Sequence, residues 1–284
     1  MKHSEKRLTT ADGIDIYTQT WSSDDSSDKA NVVIVHGYLE HCGRYGHVGE
    51  YLVKCGFRVT AFDCRGHGKS TGVKGYVKSY DEYSNDLELV LEHVLNESPL
   101  HTFVLAHSNG GLIALNHYMG KEQPIAQTRI HGLVITSPFL GPADELPNAK
   151  IWASKLLGTL TPKLSLPVEE VSAEILMHDP EMQEAHRKDE LNLSKFTLGW
   201  AKASMAAQKK VTGATAKTLD MPVLFLFAGD DKVADPKKNK VFGEQLSGDD
   251  ITVIEKEGEY HELLNETNRK VTLETIGKWM VDHY

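Results

Sequence analysis

Short runs of apolar, mostly β-branched residues alternate along this chain with longer stretches of helical period, and that rhythm decides what it can fold into. "NVVIV" (Asn31–Val35), "FRVTAF" (Phe57–Phe62), "TFVLA" (Thr102–Ala106), "HGLVIT" (His131–Thr136), "PVLFLF" (Pro222–Phe227) and "ITVIE" (Ile251–Glu255) read as strands. Several are apolar at successive positions. A strand covered on one face alternates, so an unbroken apolar run marks a parallel sheet with helices on both sides. "IDIYTQTW" (Ile14–Trp21) does alternate, as a half-buried edge strand should. Helical patterns fill the intervals, at about 45–54, 80–96, 110–119, 237–246 and 266–281. The expected class is α/β, a doubly wound and mostly parallel central sheet flanked by helices.

The rhythm breaks between Phe139 and Leu219, where prolines 142, 147, 162, 167 and 180 punctuate helical pieces and no strand is convincing. This stretch reads as a helical insertion over the carboxyl edge of the sheet, where open α/β sheets bind ligands. The expected division is a core of residues 1–138 and 220–284 and an inserted cap of residues 139–219.

Composition narrows the function classes. A net charge of -9 over 284 residues argues against a general nucleic-acid or anionic-membrane binder, both of which need a basic face. "MKHSEKRLTT" is not followed by the apolar stretch of a secretory signal. No apolar run approaches the roughly 18 residues of a membrane span. Cys42, Cys55 and Cys64 form no C-x-x-C pair, and so small and odd a number suits a reducing compartment. The expected location is cytoplasmic, with contact at membrane surfaces at most peripheral.

Three decoys drop out. "RGHGKS" ends like a phosphate loop, but Asp63 occupies the position of the required first glycine. "HELLN" opens like a zinc-protease helix but has Asn265 where the second histidine belongs. "KDEL" is internal, at Lys188–Leu191. His36, His41 and His47 carry no recognised ligand spacing, so no metal is expected and no cofactor is implied.

The chemistry begins at "VLAHSNGGLIA", Val104–Ala114: a strand, a sharp turn with a serine, then a helix. It matches G-x-S-x-G except that Ala106 replaces the first glycine. Residues two positions from the serine must be small, because strand and helix meet closely at such a corner. Gly110 and Gly111 meet that need on the helix side, and Ala106 adds only one methyl on the strand side. A serine hydroxyl needs a base to become a nucleophile, and the base needs an acid to hold its tautomer. Ser108 is the candidate nucleophile. The backbone N–H of Asn109, opening the helix, is a candidate oxyanion donor. In "VHGYLEHCGRY", after the strand Asn31–Val35, His36-Gly37 makes a turn that lets the Tyr38 N–H serve as the second. The acid belongs in a loop after a late strand, and "FLFAGDDKVADP" offers Asp230, Asp231 and Asp235, among which spacing does not choose. The base belongs in the next loop, where "EKEGEYHELLNE" supplies His261. Serine, aspartate and histidine arrive in the chain order of one hydrolase fold and of neither familiar protease fold.

With these residues in hand, nearly the whole chain resembles the monoglyceride lipase / lysophospholipase family of serine α/β-hydrolases. "HGYLEHCGRYGHV" is similar to its H-G-x-x-E-H-x-x-R-Y stretch, "DCRGHGKSTG" to its D-x-R-G-H-G-x-S-x-G turn, and "HSNGG" to its H-S-x-G-G corner. "AGDDKVADP" resembles A-G-x-D-x-V-x-D, and "YHELLNE" the stretch around the catalytic histidine. The resemblance implies an α/β-hydrolase fold with a helical cap, Ser108 as nucleophile, Asp231 as acid, His261 as base, and Tyr38 and Asn109 as oxyanion donors. It makes Asp235 a supporting residue and gives Arg65 and His67 structural roles. It implies hydrolysis of a single-acyl lipid ester, a monoacylglycerol or lysophospholipid, through an acyl-serine. The cap stripes of Trp152 and Leu156 and of Phe196 and Trp200 would then line an acyl tunnel, and the cap would touch a membrane or micelle surface. A small-ester carboxylesterase, a serine aminopeptidase and a non-catalytic relative are the alternatives. The chain departs from the pattern at Ala106, at Leu39 and Asn109, where glycine and methionine are common, and at "KDELN", where many relatives have Asp-Pro.

Overall fold

A computed structural model describes residues 1–25, 27–119, 129–143, 157–167, 172–214 and 217–284. Its centre is an eight-stranded sheet. The strands are β1 (Lys2–Thr9), β2 (Asp15–Ser22), β3 (Ala30–Val35), β4 (Phe57–Phe62), β5 (Thr102–His107), β6 (Ile130–Thr136), β9 (Val223–Ala228) and β10 (Ile251–Lys256), in the order β1-β2-β4-β3-β5-β6-β9-β10. β1 and β2 pair antiparallel, and β2 runs antiparallel to β4. Every other pairing in this sheet is parallel. The helices include α1 (Gly46–Lys54), α2 (Tyr80–Glu97), α3 (Asn109–Tyr118), α4 (Ala173–Leu176), α5 (Pro180–Lys188), α6 (Leu198–Thr212), α7 (Pro236–Gln245) and α8 (Arg269–Asp282).

The apolar runs do what their composition demands. Side chains of a strand alternate between faces, and both faces here are covered. Val33, Val35, Val104, Ala106, Ile135 and Phe225 face one apolar core with α2, α3 and α6, while Val32, Ile34, Phe103, Leu105, Val134 and Leu224 face the other with α1 and α8. β3, β5 and β9 are buried at every position. Burying a residue of this size stabilises by about 1.5–3 kcal/mol, so these strands are the least replaceable part of the chain.

Two features were not legible in the pattern. β1 is exposed along almost its whole length and reads as a charged segment, yet it adds an edge strand to β2 with Lys2 and Lys6 on it. Lysines on an edge discourage further strand addition. Between β6 and β9, Ser165–Pro167 (β7) and Lys195–Thr197 (β8) pair antiparallel, so the insertion does hold strand, in pieces too short to show a period. The insertion also carries α4, α5 and α6. Asp179-Pro180 starts α5, the Asp179 carboxylate accepting from the N–H groups of Glu181 and Met182. Thr197 starts α6 by accepting from Trp200 N–H.

Candidate active site

The corner at Ser108 is built by close approach. Ser108 sits between β5 and α3 with φ 53° and ψ -115°, a left-handed conformation for a non-glycine residue. Such strain costs about 1–3 kcal/mol and persists only where surrounding structure enforces it. The enforcement is visible: Ser108 N–H donates to the Thr136 carbonyl at 2.9 Å, and its own carbonyl accepts from Leu112 and Phe139. At Gly110 a Cβ would lie 2.2 Å from the Val35 carbonyl oxygen, so α3 lies directly against the end of β3. Ala106, on the other flank, is fully buried in the core, where its methyl is accommodated.

Ser108, His261 and Asp231, distant in sequence, form one hydrogen-bonded line. Ser108 Oγ lies 2.8 Å from His261 Nε2, and His261 Nδ1 donates to Asp231 Oδ2 at 2.7 Å. A carboxylate only accepts, so the proton sits on Nδ1 and Nε2 is left to accept from the serine. Asp231 Oδ1 is held by the N–H groups of Val233 and Ala234, which fixes the carboxylate plane. All three residues are buried, at 7%, 3% and 4% exposure for Ser108, His261 and Asp231. Burial by itself pulls the His261 pKa down, but the Asp231 charge and hydrogen bond, with Glu262 and Glu40 nearby, outweigh it and leave the pKa raised. Of the three aspartates, Asp231 alone meets the histidine. Asp230 is exposed, and Asp235 caps α7, accepting from Lys237 and Lys238 N–H.

The loop carrying Tyr38 is pinned from several sides. Gly37 N–H donates to Glu40 Oε1 at 2.5 Å, and the Tyr45 hydroxyl donates to the same oxygen at 2.7 Å. Arg44 joins Glu40 Oε2 at 2.7 Å to both oxygens of Glu262, at 2.8 and 2.6 Å. Glu262 follows His261 directly, so one buried guanidinium ties the Tyr38 loop to the histidine loop. Burial alone would favour a neutral Glu262, but the Arg44 charge and hydrogen bonds hold its pKa down at about 2. Sequence reasoning had these residues inside family motifs without a role for them. The pair spans 218 positions, and no spacing rule announces a contact of that range.

His36, His41 and His47 are each engaged by hydrogen bonds. His36 accepts from Cys64 N–H at 2.9 Å, and its Nδ1 lies 2.6 Å from the Gly37 carbonyl. His41 lies 2.7 Å from Asp189, the aspartate of "KDELN", and His47 donates to the Leu264 carbonyl. His107 packs 5.0 Å from the His261 ring, and burial, reinforced by His261, pushes its pKa down to about 4. Among the described residues no cluster of three or more His, Cys, Asp or Glu could hold a metal ion. Arg65 is bidentate to Asp86 at 2.7 Å and bonds Asp12, while buried His67 packs edge-on to Tyr38.

Asn109 opens α3, where backbone N–H groups have no intrahelical acceptor. Its side-chain Oδ1 accepts from the Tyr80 hydroxyl and from Trp200 Nε1. Trp200 is itself buried and stacked on Tyr38, with Phe196 6.5 Å from its ring. Trp152 and Leu156 lie outside the described residues.

A triad in this chain order, at a strained strand–helix corner of such a sheet, is what comparison with known proteins bears on. The family model Hydrolase_4, described as serine aminopeptidase, S33, matches residues 26–268. The chain belongs to this family. As a member of it, the chain is 28% identical over 282 residues to a monoacylglycerol lipase of Mycolicibacterium smegmatis, covering 99% of this chain and 98% of that one. It is 30% identical over 281 residues to an abhydrolase domain-containing protein of Dictyostelium discoideum, of whose length it spans only 29%. Among solved structures it is similar to the monoacylglycerol lipase of Paleococcus ferrophilus, with a TM-score of 0.80, 27% identity and full coverage of both chains. The α/β-hydrolase fold and the monoglyceride lipase family resemblance read from the motifs are borne out. Family membership and relatives together support an esterase or lipase acting on lipid esters.

Proposed function

We propose that this protein hydrolyses the ester of a single-acyl lipid, a monoacylglycerol or lysophospholipid, by way of an acyl-serine. The observation that carries the reading is the continuous line Ser108–His261–Asp231 at 2.8 and 2.7 Å. Ser108 Oγ attacks the ester carbonyl while its proton passes to His261 Nε2. Asp231 stabilises the imidazolium without taking the proton. The N–H groups of Tyr38 and Asn109 receive the oxyanion, where each donor is worth about 10²–10³ in rate. Collapse expels the alcohol, protonated by His261. Water, deprotonated by the same imidazole, then releases the fatty acid and restores Ser108.

The insertion, taken as the cap of residues 139–219, supports the lipid part of the reading. Among the described residues every large exposed leucine belongs to it: Leu157, Leu160, Leu164, Leu166 and Leu191. These five are among twelve large apolar residues exposed among the described residues, and as leucines they are the ones that could engage a lipid surface. No described helix is long and apolar enough to cross a membrane, so such contact would be peripheral. Of the acidic residues of the insertion that a peptidase could turn toward a free N-terminus, Glu174 pairs with Arg187 and Asp179 with Arg269, while Glu169 and Glu170 lie outside the described residues.

A substrate panel tests the reading. Monoacylglycerols and lysophospholipids of graded chain length should exceed acetyl esters and aminoacyl-naphthylamides in kcat/KM by at least about tenfold, the worth of a chain's apolar contacts. A preference for acetyl esters would make the enzyme a small-ester carboxylesterase. Cleavage of the naphthylamides alone would make it a peptidase.

A further inference from the structure

The two proposed oxyanion donors, Tyr38 and Asn109, have side chains that end on one residue of the insertion. The Tyr38 ring lies flat on the Trp200 indole, with centroids 3.6 Å apart and planes within 7°. The same indole N–H donates to Asn109 Oδ1 at 3.3 Å, and the Tyr80 hydroxyl donates to that oxygen as well. An indole N–H can only donate, so the Asn109 carboxamide is oriented by its two donors. Asn109 is 1% exposed, which keeps solvent from competing for that oxygen. Thr197, just before α6, adds to the junction: its N–H donates to the Tyr38 hydroxyl at 3.4 Å, and both hydroxyls share the Gly75 carbonyl, at 2.6 Å from Thr197 and 2.7 Å from Tyr38.

The core pins the Tyr38 loop through Gly37 and Glu40, and the insertion adds a hold at Leu39. Leu39, next in sequence, has φ 71°, in a loop outside any helix or strand. The loop is bound through Gly37 on one side of Tyr38, and its Leu39 carbonyl accepts from Leu193 of the insertion on the other. A donor displaced by about 1 Å loses on the order of 10² in rate.

We propose that Trp200 is a positioning residue for the oxyanion hole: seated on Tyr38 and bonded to Asn109, it makes the two N–H donors converge only while the insertion lies on the core. This inference rests on the reading of Ser108 as nucleophile. It gives Trp200 a duty separate from lining an acyl tunnel, and the two duties diverge on a substrate with no chain to line.

The test compares p-nitrophenyl acetate and p-nitrophenyl laurate turnover by wild type, Trp200→Leu, Trp200→Phe, Asn109→Leu and the Trp200→Phe/Asn109→Leu double variant, with circular dichroism confirming the fold. Trp200→Leu should lower kcat on both esters by about 10–100-fold. It should weaken a trifluoromethyl ketone, whose adduct mimics the oxyanion, by a similar factor, while KM for the acetate changes less than about threefold. Trp200→Phe keeps a ring on Tyr38 and should lose roughly threefold. Asn109→Leu and Trp200→Phe break the same hydrogen bond, so their effects should not multiply. Unchanged acetate turnover in Trp200→Leu, with KM rising for laurate only, would overturn the proposal in favour of a simple acyl wall. Should Trp200→Leu fail to fold, the Trp200→Phe and Asn109→Leu cycle decides alone, and multiplicative losses overturn the proposal. An inactive wild type refutes the ester-hydrolase reading itself, and this inference with it.

Discussion

Gly110→Ala isolates the close approach on which the site depends. The added Cβ would meet the Val35 carbonyl oxygen at 2.2 Å, the Val35 carbonyl carbon at 2.7 Å and the His36 carbonyl oxygen at 2.7 Å. All are backbone atoms of a buried strand end, so no rotamer change relieves the contact. Van der Waals separation is about 3.5 Å, and α3 must therefore retreat from β3 by roughly 1 Å. Overpacking of this kind costs about 1–3 kcal/mol, against which alanine returns about 1 kcal/mol of helix propensity. The net loss is about 0–2 kcal/mol, a fall in Tm of at most roughly 4 °C for a chain of this size. Activity should suffer more than stability, because α3 carries the Asn109 N–H and follows directly on Ser108. A 1 Å displacement costs about 10² in kcat. The assay pairs thermal unfolding with p-nitrophenyl ester turnover at a temperature where the variant is fully folded. Turnover within twofold of wild type would refute the argument that this contact sets the geometry of the corner.

Other expectations follow from the charges. Because the His261 pKa is raised, the acid limb of kcat/KM should lie above the ordinary histidine value of about 6.5, and Asp231→Asn should lower that limb and reduce kcat by about 10⁴. By the same linkage, the folding stability contributed by His261 protonation is complete below about pH 6.5 and is lost as pH rises through the raised pKa. Glu262 has the opposite sign: its pKa is depressed from 4.5 to about 2, so its contribution is present above about pH 4.5 and is lost as pH falls toward 2. Glu262→Gln removes the bidentate partner of Arg44 but leaves its pair with Glu40, so it should cost about 1–3 kcal/mol at pH 7. In urea melts the gap to wild type should close on acidification, and a gap independent of pH would contradict the ion-pair account.

How much of this could be read in advance depended on range. The parallel core was legible because β3, β5 and β9 are buried on both faces and therefore apolar throughout. Ser108, Asp231 and His261 were legible as candidates because each lies in a loop after a recognisable strand, in an order tied to one fold. Choosing Asp231 over Asp230 needed the family pattern, since neighbouring aspartates in a turn are alike in sequence and differ only in direction. β1 was missed because its charges are a solvent-edge signature, and β7 and β8 because three residues carry no period. The Glu40–Arg44–Glu262 link and the Tyr38–Trp200 stack are contacts between distant segments, set by how the insertion and loops pack. Ala106, doubtful in isolation, is a buried methyl in the core, and Asn109 turned out to face Tyr80 and Trp200.

The central claim is that Ser108 becomes acylated and that His261 and Asp231 drive the step. A fluorophosphonate reacts only with an activated serine, so labelling followed by intact mass and peptide mapping tests the claim directly. A single adduct on the peptide carrying Ser108 is expected. It should be absent from Ser108→Ala, whose ester turnover should also vanish while its fold persists. An adduct on another serine, or turnover retained by Ser108→Ala, would contradict the account.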